Sequence, residues 1–137
     1  MNPMMARNPY AQYQQTQFET APPERLLLML YDGAIRFCMV ARKAILENDP
    51  KTCNTHCIKV QNILQELMVT LRMDVGGDLA KNLFDLYEYL SHRTMMANVN
   101  KQVEPLDEVV GHLKELREAW AQAARNVGTL KASQASA

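Results

Sequence analysis

A chain of 137 residues, 47% of them hydrophobic, is long enough to bury one core without metals or disulfides. Fifteen acidic residues balance fifteen basic ones with no clustered basic run, which disfavours nucleic acid, whose phosphates need a positive footprint. The odd trio Cys38, Cys53 and Cys57 does not suit a secreted disulfide scaffold, and no run reaches the roughly 20 apolar residues that span a bilayer. Met1 to Tyr13 lacks an apolar signal core, so the expectation is a reduced, cytoplasmic protein without stable membrane insertion.

Residues 1–20 are rich in Asn, Pro and Gln and show no helical period. They read as an N-terminal arm that is either mobile or docked, because Tyr10, Tyr13 and Phe18 gain from packing. Pro22-Pro23-Glu24 opens the first helix, since proline suits a first turn whose N–H groups lack intrahelical partners. Thr20 would cap it only if the helix began slightly earlier. Leu26, Leu30, Ala34, Phe37, Ala41 and Ala44 recur at helical spacing. Leu27, Tyr31, Ile35 and Cys38 widen that face, as expected of a helix with more than one neighbour.

Asn48-Asp49-Pro50 ends this helix and starts the next, with Asp49 as N-cap and Pro50 at the first helical position. Cys53, Cys57, Val60, Leu64, Leu67 and Leu71 then form the clearest stripe in the sequence, broadened by Ile58, Ile63 and Met68. Asp74-Val75-Gly76-Gly77 breaks the pattern, because paired glycines permit backbone angles other residues resist. The third helix carries Leu79, Leu83, Leu86, Leu90 and Ala97, with Thr94 at the intervening position and Phe84, Tyr87 and Met95 flanking. The fourth carries Leu106, Val109, Val110, Leu113, Leu116, Trp120 and Ala123, with Pro105 in its first turn. Asn126 and Gly128 interrupt it after Arg125.

Four helices joined by short turns place sequential neighbours antiparallel. The expected fold is all-α, an up-down-up-down four-helix bundle over residues 21–126, with a small-residue tail at 127–137 that frays. No β-type alternation argues for a sheet.

The pattern offers little for catalysis. His56, His92 and His112 fall on different helices without partner spacing. Cys53 and Cys57 could in principle offer two thiolates to a metal, but they continue the Leu64–Leu71 stripe and read as small core residues. There is no Ser-His-Asp arrangement, HExxH, phosphate loop or dinucleotide fingerprint. Gly33, inside an apolar helix, costs about 1 kcal/mol against alanine and is expected to admit a neighbouring helix, with Asp32 facing water. Most of the methionines read as core filler, although flexible thioethers also suit adaptable binding surfaces.

Several ordered motifs resemble the bacterial flagellar secretion chaperones that bind flagellin. Asn8-Pro9-Tyr10, Thr20-Ala21-Pro22 and Leu28-Met29-Leu30-Tyr31-Asp32-Gly33-Ala34 look like the N-terminal signature of that family. Gly76-Gly77-Asp78-Leu79-Ala80-Lys81-Asn82-Leu83, Leu86-Tyr87-Glu88-Tyr89-Leu90 and Ala97-Asn98 look like its third helix, and Leu116-Arg117-Glu118-Ala119-Trp120 like its last. Two positions depart: Pro22 stands where serine is common, and Thr94 where an apolar residue is usual. The resemblance implies an antiparallel four-helix bundle that captures the disordered C-terminal segment of flagellin as helices. It also implies that capture blocks premature polymerisation and supports flagellar secretion without a cofactor.

Further partners under the same resemblance are the flagellar export apparatus and other flagellar regulatory proteins. The expected site places Tyr10 and Tyr13 in arm docking and Leu79, Leu83, Tyr87 and Met95 in cargo contact. Asn82 and Gln61 are expected as polar anchors. Each leucine has an equally simple reading as core. The competing function is a structural or scaffold bundle that binds another partner or itself.

Overall fold

The computed structural model describes residues 21–136. Its four helices are α1 (Pro23–Leu46), α2 (Pro50–Val69), α3 (Gly77–Asn100) and α4 (Val103–Ser136). Among the described residues there is no strand. Each helix packs mainly on two neighbours, α1 on α2 and α4, and α3 on α2 and α4. The chain thus runs up and down around a closed ring, as its short connections require.

The expected boundaries have local causes. Pro23 is the first residue of α1, with Pro22 at the N-cap. The Asp49 carboxylate accepts the Thr52 N–H at 3.1 Å, with Pro50 directly after it, so one orphan donor of the first turn is satisfied. At the α2–α3 turn both glycines are needed. Gly77 has φ +54°, and a Cβ on Gly76 would sit 2.6 Å from the Arg72 carbonyl oxygen.

Some expectations change in detail. The helix expected to lapse after Arg125 continues to Ser136, because Asn126 and Gly128 interrupt the apolar stripe without stopping the helix. On α3, Leu79 is not a core position: the buried stripe runs through Ala80, Leu83, Tyr87, Leu90, Thr94 and Ala97. Leu86 is only partly buried against it. Tyr87, expected on the flank, is in the core. Asp32 does sit at the surface, but its carboxylate pairs with Arg117 of α4 at 2.7 Å.

The inward residues of α1 and α2 are graded from end to end. Toward the α1–α2 connection they are Cys38, Ala41, Ala44, Cys53 and Cys57, all buried, and small side chains let helices approach closely. Gly33 acts in the same sense, since a Cβ there would stand 3.3 Å from Ile63 Cδ1 of α2. Toward the α2–α3 turn the inward residues are large: Tyr31, Leu64, Leu67, Leu83 and Tyr87. Leu27, Leu30, Leu71 and Trp120 are only partly buried against them. The groove described below opens at this second end.

Polar ties lock the ring. Arg42 pairs with Asp107 at 2.8 Å and Asp32 with Arg117, joining α1 to α4. Arg93 pairs with Glu108 at 2.9 Å, joining α3 to α4, and the Tyr89 hydroxyl donates to the same carboxylate. Asn98 donates to Asn54 at 2.8 Å across α2–α3. Half-exposed pairs of this kind are worth under about 1 kcal/mol each, so they fix register more than they supply stability.

Candidate functional site

The first turns of α1 present Leu26, Leu27 and Leu30 to a space that the ring does not fill. With Leu71 just past the end of α2, Leu79, Ala80, Leu83 and Tyr87 of α3, and Trp120 of α4, they line a groove of about 530 Å³. Glu66, Thr70 and Arg72 stand among its lining residues, and the Arg72 guanidinium is held by Asp74 at 3.1 Å. Helical spacing explains the convergence. Leu79, Leu83 and Tyr87 succeed one another by four residues and so follow one slowly turning face.

This cleft runs on between α1 and α4, where Pro23, Glu24, Leu27, Trp120, Ala123, Ala124 and Val127 line the next depression. Pro23, Leu27 and Trp120 belong to both. The two depressions adjoin at these residues and together make an apolar trough at this end of the bundle, bordered by α1 and α4 on one side.

Its floor carries a buried polar array. The Tyr31 and Tyr87 hydroxyls share a hydrogen bond across the ring, from α1 to α3, and the Trp120 indole N–H donates to the Tyr31 hydroxyl at 3.1 Å. Burial first, and then the neighbouring Tyr87, hold the Tyr31 phenol well above its ordinary range. Burial also raises Tyr87, against the lowering effect of its hydrogen bonds with Tyr31 and Trp120. Both phenols are therefore neutral at physiological pH and act as hydrogen-bonding groups rather than as acids.

The expected site residues divide. Leu79, Leu83 and Tyr87 are brought together in the trough. Leu79 is its most open wall, 65% exposed, while Leu83 and Tyr87 serve both core and floor. Gln61 and Met95 line a separate groove of about 460 Å³ between α2 and α3, with Gln65, Met68, Phe84, Glu88, Ser91 and His92. Gln61 there donates to the Ser91 carbonyl at 3.5 Å. Asn82 is exposed on α3 but lines neither space. Tyr10 and Tyr13 lie outside the described residues.

Leu26, Leu27, Leu30, Leu71 and Trp120 are the trough residues that sequence reasoning assigns to the core, and Pro23 one that it reads only as a helix start. Their signal was the unbroken run Leu26-Leu27-Leu28-Met29-Leu30. It is greasier around its circumference than two packing neighbours require, and all five residues remain only partly buried.

The remaining chemistry-bearing groups are structural. Cys53 Sγ lies 3.9 Å from Cys57 Sγ and 3.6 Å from Asn98 Oδ1. Burial pushes the Cys57 and Cys38 thiols up to about 12. The His56 ring donates to its own helix at Thr52 O, 3.0 Å away, and rests against Phe37. Among the described residues no three His, Cys, Asp or Glu side chains are gathered as a metal would need. No described helix is long and apolar enough to cross a membrane.

A closed helical ring that leaves an apolar trough open at one end defines a partner-binding bundle. The particular family follows from comparison with known proteins. The sequence model of the flagellar protein FliS matches residues 6–127, and the chain belongs to that family, which consists of chaperones and not of enzymes.

The flagellar secretion chaperone FliS of Bacillus subtilis is 39% identical over 120 residues, covering 88% of this chain and 89% of its own. The flagellar secretion chaperone FliS of Salmonella typhimurium is 34% identical over 104 residues, covering 75% and 77%. A solved flagellar chaperone from bacteria superposes with a TM-score of 0.66 over 86% of this chain and 99% of its own. At 23% identity that is a likeness of fold.

Proposed function

We propose that this chain, a flagellar secretion chaperone by family, holds the C-terminal segment of flagellin in the trough. On this reading the segment is disordered when free and becomes helical as its apolar face enters the trough. Its polymerising surface is thereby occupied until export. The encounter takes place in the cytoplasm, and the loaded chaperone then meets the export apparatus. No cofactor takes part.

The observation that carries the reading is the half-buried leucine run of α1 facing Leu79, Leu83 and Trp120 across an unfilled apolar channel. A helix laid into such a channel buries area worth roughly 25 cal/mol per Å², against which ordering the partner costs at least about 2–5 kcal/mol. A long trough is therefore required, and the continuation past Ala123 and Ala124 supplies length.

The test is a calorimetric titration with the purified flagellin C-terminal segment, with helicity followed by circular dichroism. Leu79 is 65% exposed in the free protein, and fully burying a leucine is worth about 1.5–3 kcal/mol. Covering what remains open is then worth about 1–2 kcal/mol, so Leu79→Ala should weaken binding about 5- to 30-fold with little change in melting temperature. Unchanged affinity in that folded variant would remove the segment from this trough.

A further inference from the structure

The walls of the trough are apolar, and its main groove has two charged side chains in the lining, Glu66 and Arg72. Arg72 is answered within the turn, where its Nε and Nη2 donate to the two Asp74 carboxylate oxygens at 3.2 and 3.1 Å. Glu66 has no such answer. Among the described residues its carboxylate makes no ion pair and no hydrogen bond. The Thr70 hydroxyl, in the same lining, gives its one proton to the Leu67 carbonyl at 2.7 Å.

Glu66 also stands against its own helix. It lies in the last turn of α2, which ends at Val69 and has no basic residue in that turn. A carboxylate is disfavoured at a helix C-terminus, where the macrodipole is negative. Glu24, which lines the adjoining depression, is a different case, because it sits in the first turn of α1, where the dipole favours an acid. Stability of the bundle accounts for Glu24 and not for Glu66.

An apolar channel holds a helix without fixing its position, because the hydrophobic effect follows the area covered and has no direction. A helix slid along by one turn would cover nearly the same surface. Once a helix covers the groove, water is displaced from beside Glu66, which is exposed in the free protein. An apolar group opposite then leaves the carboxylate unpaired, whereas a cation gives it a charge-assisted contact. We propose that Glu66 pairs with a lysine or arginine on the flank of the helix that fills the trough, and that this one pair sets the register of that helix. The occupant is thus an apolar-faced helix with a cation where that face meets the end of α2. This rests on the placement of the flagellin segment in the trough.

The test is binding of the purified flagellin C-terminal segment at low ionic strength to Glu66→Gln and Glu66→Lys. Each variant is paired in turn with glutamate replacements of the segment's lysines and arginines. Glu66→Gln should weaken binding about 2- to 5-fold and Glu66→Lys further, with both losses shrinking in about 0.5 M salt. One charge reversal in the segment, and one only, should restore binding to Glu66→Lys while weakening binding to the wild type. Glu66→Lys complements the α2 dipole, so its melting temperature should hold or rise as affinity falls. A structural role for Glu66 would lower both together, and would overturn the proposal.

Unchanged affinity in Glu66→Lys would overturn it as well, as would a loss that no reversal restores. Equal restoration by several reversals marks diffuse attraction instead of a register and has the same consequence. Leu79→Ala serves as the control on placement. Weakening by Leu79→Ala alone leaves the segment in the trough and removes the pair with Glu66. Wild-type affinity in both variants removes the placement itself, and the proposal with it.

Discussion

Thr94 is fully buried in the middle of α3, and its hydroxyl donates back to the Leu90 carbonyl at 2.8 Å. That carbonyl is also the acceptor of the intrahelical bond from four residues on, so removing the hydroxyl orphans nothing. No other polar partner of Thr94 is present among the described residues. Thr94→Val keeps the shape and the branch at Cβ and exchanges a hydroxyl for a methyl. The lost hydrogen bond is worth about 0.5–1.5 kcal/mol net, but such back-bonding strains a helix slightly. A buried methyl returns about 0.8 kcal/mol, and the hydroxyl's desolvation cost disappears.

Helix propensity barely distinguishes the two residues. The sum lies between neutral and about 1 kcal/mol of stabilisation. In a chain of this length that is at most about 2–4 °C in melting temperature. Urea unfolding followed by circular dichroism at 222 nm is the assay, with Thr94→Ser as its counterpart, which loses the methyl and should cost about 1 kcal/mol. A loss above about 1 kcal/mol for Thr94→Val would refute the accounting and mean that the hydroxyl has a partner beyond its own helix.

Gly33 gives a graded test of the α1–α2 approach. Its absent Cβ would stand 3.3 Å from the tip of the flexible, partly exposed Ile63 side chain. Gly33→Ala should therefore be neutral or gain up to about 1 kcal/mol from helix propensity, whereas Gly33→Leu should cost about 1–3 kcal/mol by overpacking, as read by chemical denaturation. Cys38, Cys53 and Cys57 are buried, and the Cys38 and Cys57 thiols are pushed up to about 12. At pH 8 native protein should show no fast thiol titre with an aromatic disulfide reagent, while urea-unfolded protein shows all three thiols.

Glu108 is held below its ordinary value of 4.5 by the Tyr89 hydroxyl and then by Arg93. A folded-state value below the unfolded one contributes stability that is complete above about pH 4.5 and is lost as pH falls through the depressed value. Glu108→Gln should flatten that acid limb of the urea midpoint against pH, and an unchanged limb would contradict the assignment.

Boundaries were legible because they are local. Asp49-Pro50 and Gly76-Gly77 act within a turn of themselves, so chain order alone locates them. The α2 stripe was legible for the same reason, since Cys53 to Leu67 is regular enough to admit one buried face. On α3 the choice between Leu79 and Ala80 was not, because counting the greasier residue as core misses that a crowded interior prefers the smaller one.

The trough is harder still, since it is a shortfall in packing shared by all four helices, and no single helix carries its pattern. Met95 was grouped with Leu83 on hydrophobicity. Twelve residues at about 100° each leave them about 120° apart around the helix, on different walls of the bundle. The end of α4 is not legible from its apolar stripe, because a gap in that stripe at Asn126 and Gly128 does not by itself end the helical backbone.

The chain has a single tryptophan, and it stands on the wall of the trough with its indole N–H tethered to Tyr31. Any occupant that seals the channel changes the polarity around that one ring. The protein therefore carries its own optical reporter: emission wavelength tracks loading directly, in unlabelled material and even with other tryptophan-free components present.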